Sequence, residues 1–247
     1  MECYLFHLLF LLCLLSAHAG KIHHGIIGGH EAKPHSRPYM AFLKVDNIFC
    51  GGSLIAPKWI LSAAHCFGTI KAILGAHNVS KHEDSQQTID IDSYYTHPDY
   101  RFDRVPYNDI MLLKLSRKAT INKYVQLIRL PRKRSDVPTN TPCSVAGWGR
   151  LDNQNKTGTD ILFETNINIL SRRTCRTTVP MLNDGMICAG NTEEENDASQ
   201  GDSGGPLVCK GSVEGVVSFG LDRPPGVYTR VSKYLNWIEN TISTSED

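Results

Sequence analysis

The chain carries no excess charge of either sign. Its 26 lysines and arginines stand against 25 aspartates and glutamates, a formal charge of +1 over 247 residues. A cationic face of the kind that binds nucleic acid needs a surplus that is absent here, so no nucleic-acid partner is expected. Apart from Leu8 to Leu15 there is no long hydrophobic run, and that one is too short to cross a bilayer. No membrane span is expected. Internal repeats and low-complexity tracts are also missing, which excludes solenoids and repeat arrays. No spacing of cysteine and histidine suits a zinc site, and no metal or other cofactor is expected.

The short apolar run has a different use. It ends in Ala17-His18-Ala19, a small-x-small cleavage pattern, so residues 1–19 read as a secretory signal, with Glu2 the one charged side chain ahead of the run. A soluble, exported product is the expectation. Cys3 and Cys13 leave with the signal, and Cys50, Cys66, Cys143, Cys175, Cys188 and Cys209 remain. An even count in an exported chain implies disulfides, but six cysteines allow 15 pairings. Asn78-Val79-Ser80 and Asn155-Lys156-Thr157 are sequons in polar loops, so Asn78 and Asn155 are expected glycan acceptors. Arg132-Lys133-Arg134, Arg172-Arg173 and the acidic run Glu193-Glu194-Glu195 read as solvated loops.

Between these features lie many short strands. Tyr39 to Val45, Trp59 to Ala64, Lys71 to Leu74 and Ile110 to Leu115 are apolar or alternating runs bounded by turn residues. So are Ser144 to Gly147, Ile161 to Leu170, Gly205 to Cys209, Val213 to Ser218 and Gly226 to Val231. In the sixth of these, Ile161, Phe163, Ile167 and Ile169 share one face against Glu164, Asn166 and Asn168. No helices intervene, so an all-β sandwich or barrel is expected. One helix closes the chain. Ser232 is a candidate cap, and Val231, Tyr234, Leu235, Ile238 and Ile242 recur at helical spacing through Trp237.

The chemistry gathers on Gly201-Asp202-Ser203-Gly204-Gly205-Pro206. Three glycines and a proline in six residues form a tight turn, not a helix or strand interior. Such a turn presents the Ser203 hydroxyl and leaves backbone N–H groups to face whatever the hydroxyl attacks. A serine needs a base, and His65 in Ala63-Ala64-His65-Cys66 offers one. The base needs a buried carboxylate, and Asp109 opens the apolar run Ile110 to Leu115. The order along the chain is His, Asp, Ser.

With Ile26-Ile27-Gly28-Gly29 and Gly147-Trp148-Gly149, these motifs resemble the chymotrypsin-like serine proteases over nearly all of residues 26–247. The stretch from Ile26 to Met40 is most similar to the mature N-terminus of granzymes and mast-cell proteases. The resemblance implies two six-stranded antiparallel β-barrels with a C-terminal α-helix, the cleft between the barrels, and a crossover near residues 116–141. It implies the disulfides Cys50–Cys66, Cys143–Cys209 and Cys175–Cys188. It assigns Ser203 as nucleophile, His65 as general base, Asp109 as its orienter, and the N–H groups of Gly201 and Ser203 as the oxyanion hole. Asp202 would pair with the α-amine of Ile26 once residues 20–25 are removed. Asp197 would floor the specificity pocket, with Ala198 and Gln200 on its rim, Gly220 and Gly226 in its wall, and Val217, Ser218 and Phe219 along the substrate backbone.

That pocket implies an endopeptidase cutting after Arg or Lys. Chymase-like cleavage after aromatic residues and a non-catalytic binding protein are the alternatives. Residues 20–25 end in Gly25, so an activator that grips a basic side chain has none there, while six residues suit a dipeptidyl peptidase. The pocket disulfide of trypsin is missing, since Ser199 stands at one of its positions. Ala76 and Gln86 stand where trypsin's calcium loop supplies carboxylates, so no calcium site is expected despite Glu83 and Asp84. Peptide and protein substrates, serine protease inhibitors and weak sulfated-glycan binding complete the expected partners, in a secreted or granule-stored protein.

Overall fold

A computed structural model describes residues 29–132, 134–149, 158–191, 198, 201–220 and 224–245. The first barrel is built from β2 (Met40–Val45), β3 (Ile48–Ala56), β4 (Trp59–Ser62), β5 (Ile70–Leu74), β6 (Gln87–Thr96) and β9 (Met111–Leu115). It closes in the order β2-β3-β4-β9-β6-β5. β4 is buried along its whole length, and β9 at all but Lys114, which is why both read as unbroken apolar runs. A two-stranded hairpin, β7 (Arg101–Phe102) with β8 (Pro106–Tyr107), projects ahead of β9.

The second barrel runs β11 (Phe163–Ile169), β10 (Pro142–Gly147), β13 (Pro206–Cys209), β14 (Ser212–Phe219), β15 (Gly226–Arg230), β12 (Met186–Gly190). It is closed by pairing of Asn168 and Ile169 in β11 with Gly190 and Ala189 in β12. β1 (His30–Glu31) pairs with the start of β11, beyond the stretch joined to β12, with His30 opposite Glu164. Alternation in β11 is as expected: Thr165, Ile167 and Ile169 are buried, Asn166 and Asn168 exposed. The segment between the barrels is residues 116–141, and the three disulfides join the expected partners.

Two expectations change. The chain is not free of internal helix, because α1 (Arg172–Thr178) follows β11. It has no apolar stripe, and its stability is tertiary. The Ser171 hydroxyl accepts the Thr174 N–H at 3.0 Å, and Cys175 is tied to Cys188 on β12. The Arg172-Arg173 stretch is therefore helical, and Arg172 is not simply solvated. Second, Ser232 does not cap the C-terminal helix. It lies in a 3-10 turn, Val231–Lys233, and its hydroxyl reaches Ser135 O at 3.4 Å. α2 (Leu235–Thr244) starts after Tyr234, which caps it without a side-chain hydrogen bond. Val231, Tyr234, Leu235 and Ile238 pack into the core of the first barrel, although β15 belongs to the second.

Asp136 fastens the connector. Arg172 meets it with Nε at 2.6 Å and Nη2 at 2.9 Å, and Arg230 at the end of β15 donates to it as well. The Arg172 hydrogen bond holds the Asp136 carboxyl below its usual range. A lowered folded value stabilises above the ordinary carboxyl pKa, and that stabilisation is lost as pH falls through the folded one. The carboxylate is 42% exposed, so screening trims the effect. Asp136→Ala is expected to lower Tm by about 2–4 °C at neutral pH. The gap to wild type should close in acid, as thermal melts at a series of pH values would read directly.

Candidate active site

His65 sits in a 3-10 turn, Ala64–Cys66, just after β4. Ala63 and Ala64 are buried beside it, where larger side chains have no room, and the Cys50–Cys66 disulfide ties the turn to β3. Asp109 lies two residues before β9, its side chain 1% exposed. The two meet twice. His65 Nδ1 is 2.8 Å from Asp109 Oδ2, and the His65 backbone N–H donates to Oδ1 at 3.0 Å. A proton on Nδ1 satisfies the carboxylate and leaves Nε2 as the proton acceptor. The ring is 26% exposed, so it is reachable from the cleft while its partner is not.

Asp109 is held by more than histidine. The Ser218 hydroxyl also donates to Oδ2, and the Thr229 hydroxyl donates to the Asp109 carbonyl at 2.6 Å. The Ser218 side chain, on the strand expected along the substrate backbone, is turned to Asp109. The cause is a register shift between β14 and β15. Val217 pairs with Tyr228 and Phe219 with Val227, leaving Ser218 as the extra residue of a bulge. No local pattern signals Ser218 or Thr229 as partners of Asp109, since both contacts span more than 100 residues.

Ser203 is on the turn at the head of β13 and is partly exposed. Gly201 has φ +101° and Gly204 φ +79°, the backbone that glycine alone adopts readily. The Gly51 N–H of β3 donates to Ser203 O at 2.7 Å, and Gly204 N–H to Val217 O at 2.8 Å. A Cβ on Gly204 would lie 2.2 Å from Ser62 Oγ and 2.5 Å from Gly51 O. The turn is thus clamped between the barrels, against β3 on one side and β14 on the other.

Asp202 is fully buried, and its Oδ1 accepts the Gly149 N–H at 2.8 Å. A Cβ on Gly147 would fall 2.0 Å from that oxygen, and one on Gly149 2.6 Å. The Gly147-Trp148-Gly149 motif is therefore shaped around this carboxylate. Of the residues expected in the pocket, Ala198 packs on the second barrel's core. Val217 and Ser218 are buried, and Phe219 is half-buried at the end of β14. Gly226 is buried opposite Ala189, and a Cβ on Gly220 would meet nothing within 4 Å. Ile26, Asp197, Gln200 and Asn155 lie outside the described residues. Asn78 is half-buried, with Oδ1 accepting Ser80 N–H at 3.0 Å.

The loop after β5 is closed by its own groups. Gln86 Nε2 donates to Asn78 O and Lys81 O, each at 3.0 Å. Burial pushes the Glu83 carboxyl up, but the N–H groups of His77 and Asn78 outweigh it and hold the group below its usual range.

Comparison with known proteins agrees with this geometry. The family described as Trypsin matches residues 26–238. Duodenase-1 of Bos taurus is 46% identical, over 95% of both chains. Cathepsin G of Homo sapiens is 42% identical, over 95% of this chain and 94% of its own. Granzyme B(G,H) of Mus musculus is 42% identical, over 89% of this chain and 92% of its own.

Proposed function

Since the chain belongs to the trypsin family of serine proteases, we propose that it is an endopeptidase acting through Ser203, His65 and Asp109, with preference for cleavage after Arg and Lys. The observation that carries the reading is the double contact of His65 with a buried carboxylate, beside a serine turn clamped between the barrels. In the proposed reaction Ser203 Oγ attacks the peptide carbonyl and His65 Nε2 takes its proton. Asp109 stabilises the imidazolium, which then protonates the leaving amine. The N–H groups of Gly201 and Ser203 hold the developing oxyanion. A non-catalytic binding role is disfavoured because His65 and Ser203 are both present.

Residues 1–19 act as signal and 20–25 as propeptide, removed by a dipeptidyl peptidase. The family match beginning at Ile26 supports that boundary. Secretion or granule storage, restraint by serine protease inhibitors, weak sulfated-glycan binding, and glycans on Asn78 and Asn155 belong to the same reading.

Asp197 carries the Arg/Lys preference. A carboxylate in a narrow pocket is unfavourable until a cation pairs with it. Arg makes a two-pronged pair, whereas Lys reaches as a point charge. Ala198 offers Lys no hydroxyl, so Arg is favoured over Lys. Cleavage after aromatic residues is the rival, and relatives named Chymase, 39% and 40% identical, keep it in view. Matched peptides ending in Arg, Lys, Phe and Asp should be cut in the order Arg, Lys, then poorly. Asp197→Ser should lower kcat/KM for the Arg peptide by about 100-fold, ~3 kcal/mol. A wild-type preference for Phe, or Arg cleavage untouched by the substitution, removes Asp197 from the pocket floor.

A further inference from the structure

Behind Asp109 stands a set of contacts that the proposed reaction does not use. Asn108, the residue before it, has φ +51°, a left-handed conformation that asparagine tolerates better than most side chains. Both ends of its amide are held. Tyr234 OH donates to Oδ1 at 2.9 Å, and Nδ2 donates to Asp99 O at 2.9 Å. On the far side of Asp109, Ile110 is fastened in turn. Its N–H reaches Asn108 O at 2.9 Å, and its carbonyl accepts the His97 N–H at 3.1 Å. The His97 ring lies against Tyr234 and Trp237, with centroids 5.2 Å from each, and its Nδ1 accepts the Asp99 N–H at 3.2 Å. Each line of this support leads to the start of α2.

We propose that Tyr234 and Asn108 are positioning residues for Asp109, and that the C-terminal helix thereby sets the direction of the carboxylate that orients His65. The proposal rests on the reading of Asp109 as that orienter. Asp109 precedes β9 and is not part of it, so its backbone direction follows that of Asn108, whose conformation is held by the two amide contacts together with the Ile110 N–H on its carbonyl. Tyr234 is 5% exposed, and a Cβ on Gly185 would come 2.3 Å from its hydroxyl, so that oxygen has one enclosed seat. Burial pushes the Tyr234 hydroxyl up to about 12, which keeps it a proton donor throughout the working range. Burial likewise lowers His97 below its usual range, against an opposing pull from Asp99. Without the Tyr234 hydroxyl, Asn108 Oδ1 loses its donor and the turn is freer to rock. The carboxylate then meets Nδ1 in the reactive geometry for a smaller fraction of the time. KM is expected to hold, since Tyr234 and Asn108 are not among the residues proposed to line the pocket.

The test is Tyr234→Phe, which keeps the ring against His97 and removes one oxygen. Asn108→Gly is the second variant, keeping the positive φ and removing the amide, and it decides alone should Tyr234→Phe fail to fold. Ile242→Ala, farther along the helix and away from Asn108, is the control for general loosening. Steady-state kinetics with one peptide substrate, corrected by active-site titration, should show kcat about tenfold lower in Tyr234→Phe, with KM within about twofold. Asn108→Gly should do the same. Ile242→Ala should lower Tm and leave kcat in place. The proton NMR signal of the His65 Nδ1 hydrogen should move in the first two variants alone. The proposal is overturned if both keep wild-type kcat, if the loss falls on KM, or if Ile242→Ala lowers kcat equally. A Ser203→Ala enzyme that stayed active would instead overturn the reading of the site, and this proposal with it.

Discussion

Ser203→Ala is expected to lower turnover of a peptide substrate by about a million-fold, the scale on which loss of a triad nucleophile acts. The substitution removes one oxygen from a partly exposed position, so the fold should be intact. The turn does not depend on that oxygen for its shape. It is held by Gly51 N–H on Ser203 O, by Gly204 N–H on Val217 O, and by two glycines at positive φ. Matching melts of the two proteins, with activity gone from one, would place the loss in the chemistry. An alanine variant retaining a tenth of the wild-type rate would show that another group attacks.

The second large effect is expected at Asp202. A fully buried carboxylate is costly unless a counter-charge meets it, and Asp202 is fully buried. We expect the α-amine of Ile26 to be the counter-charge in the cut enzyme. Asp202→Asn leaves that amine buried against a neutral amide, at about 3–5 kcal/mol or roughly 10²–10⁴-fold in activity. The damage should reach Ser203 because Asp202 is its neighbour and the Asp202 carbonyl accepts the Gly205 N–H at 2.8 Å within the same turn. N-terminal sequencing of active enzyme should read Ile26 first, and trypsin should fail to activate the precursor. Full activity in Asp202→Asn, or an active form beginning elsewhere, would refute the switch.

The fold is legible in many stretches whose burial is one-sided or complete, although β12, buried throughout, is not among the runs read as strands. β9 and β4 are buried on both faces, β11 alternates, and all three are plain in the sequence. β6 is not, because Gln87–Thr96 is half-exposed for most of its length and its apolar residues are diluted by Asp90, Asp92 and Ser93. β3 escapes for a different reason. Gly51 and Gly52 interrupt its apolar run, and Gly51 is small because Gly205 Cα would lie 2.9 Å from its Cβ. α1 has no periodicity to find, since a cap, a disulfide and an arginine clasp stand in for an apolar face. In the site, His65 and Asp109 are legible from residue type and order, and in the fold they lie in contact at 2.8 and 3.0 Å. The hydroxyls of Ser218, Thr229 and Tyr234 around Asp109 are not, because nothing local distinguishes them from any buried polar residue.

The bulge at Ser218 also makes chain length, and not only chemistry, a condition of the cleft. One uncompensated residue lets Ser218 face Asp109 and resets the alternation of the strand beyond it. Removing one residue here restores the regular ladder but inverts the facing of Phe219 and Gly220. Exchanging a side chain at this corner alters one contact. Deleting or inserting one rewrites the reading frame of the surface a substrate would meet.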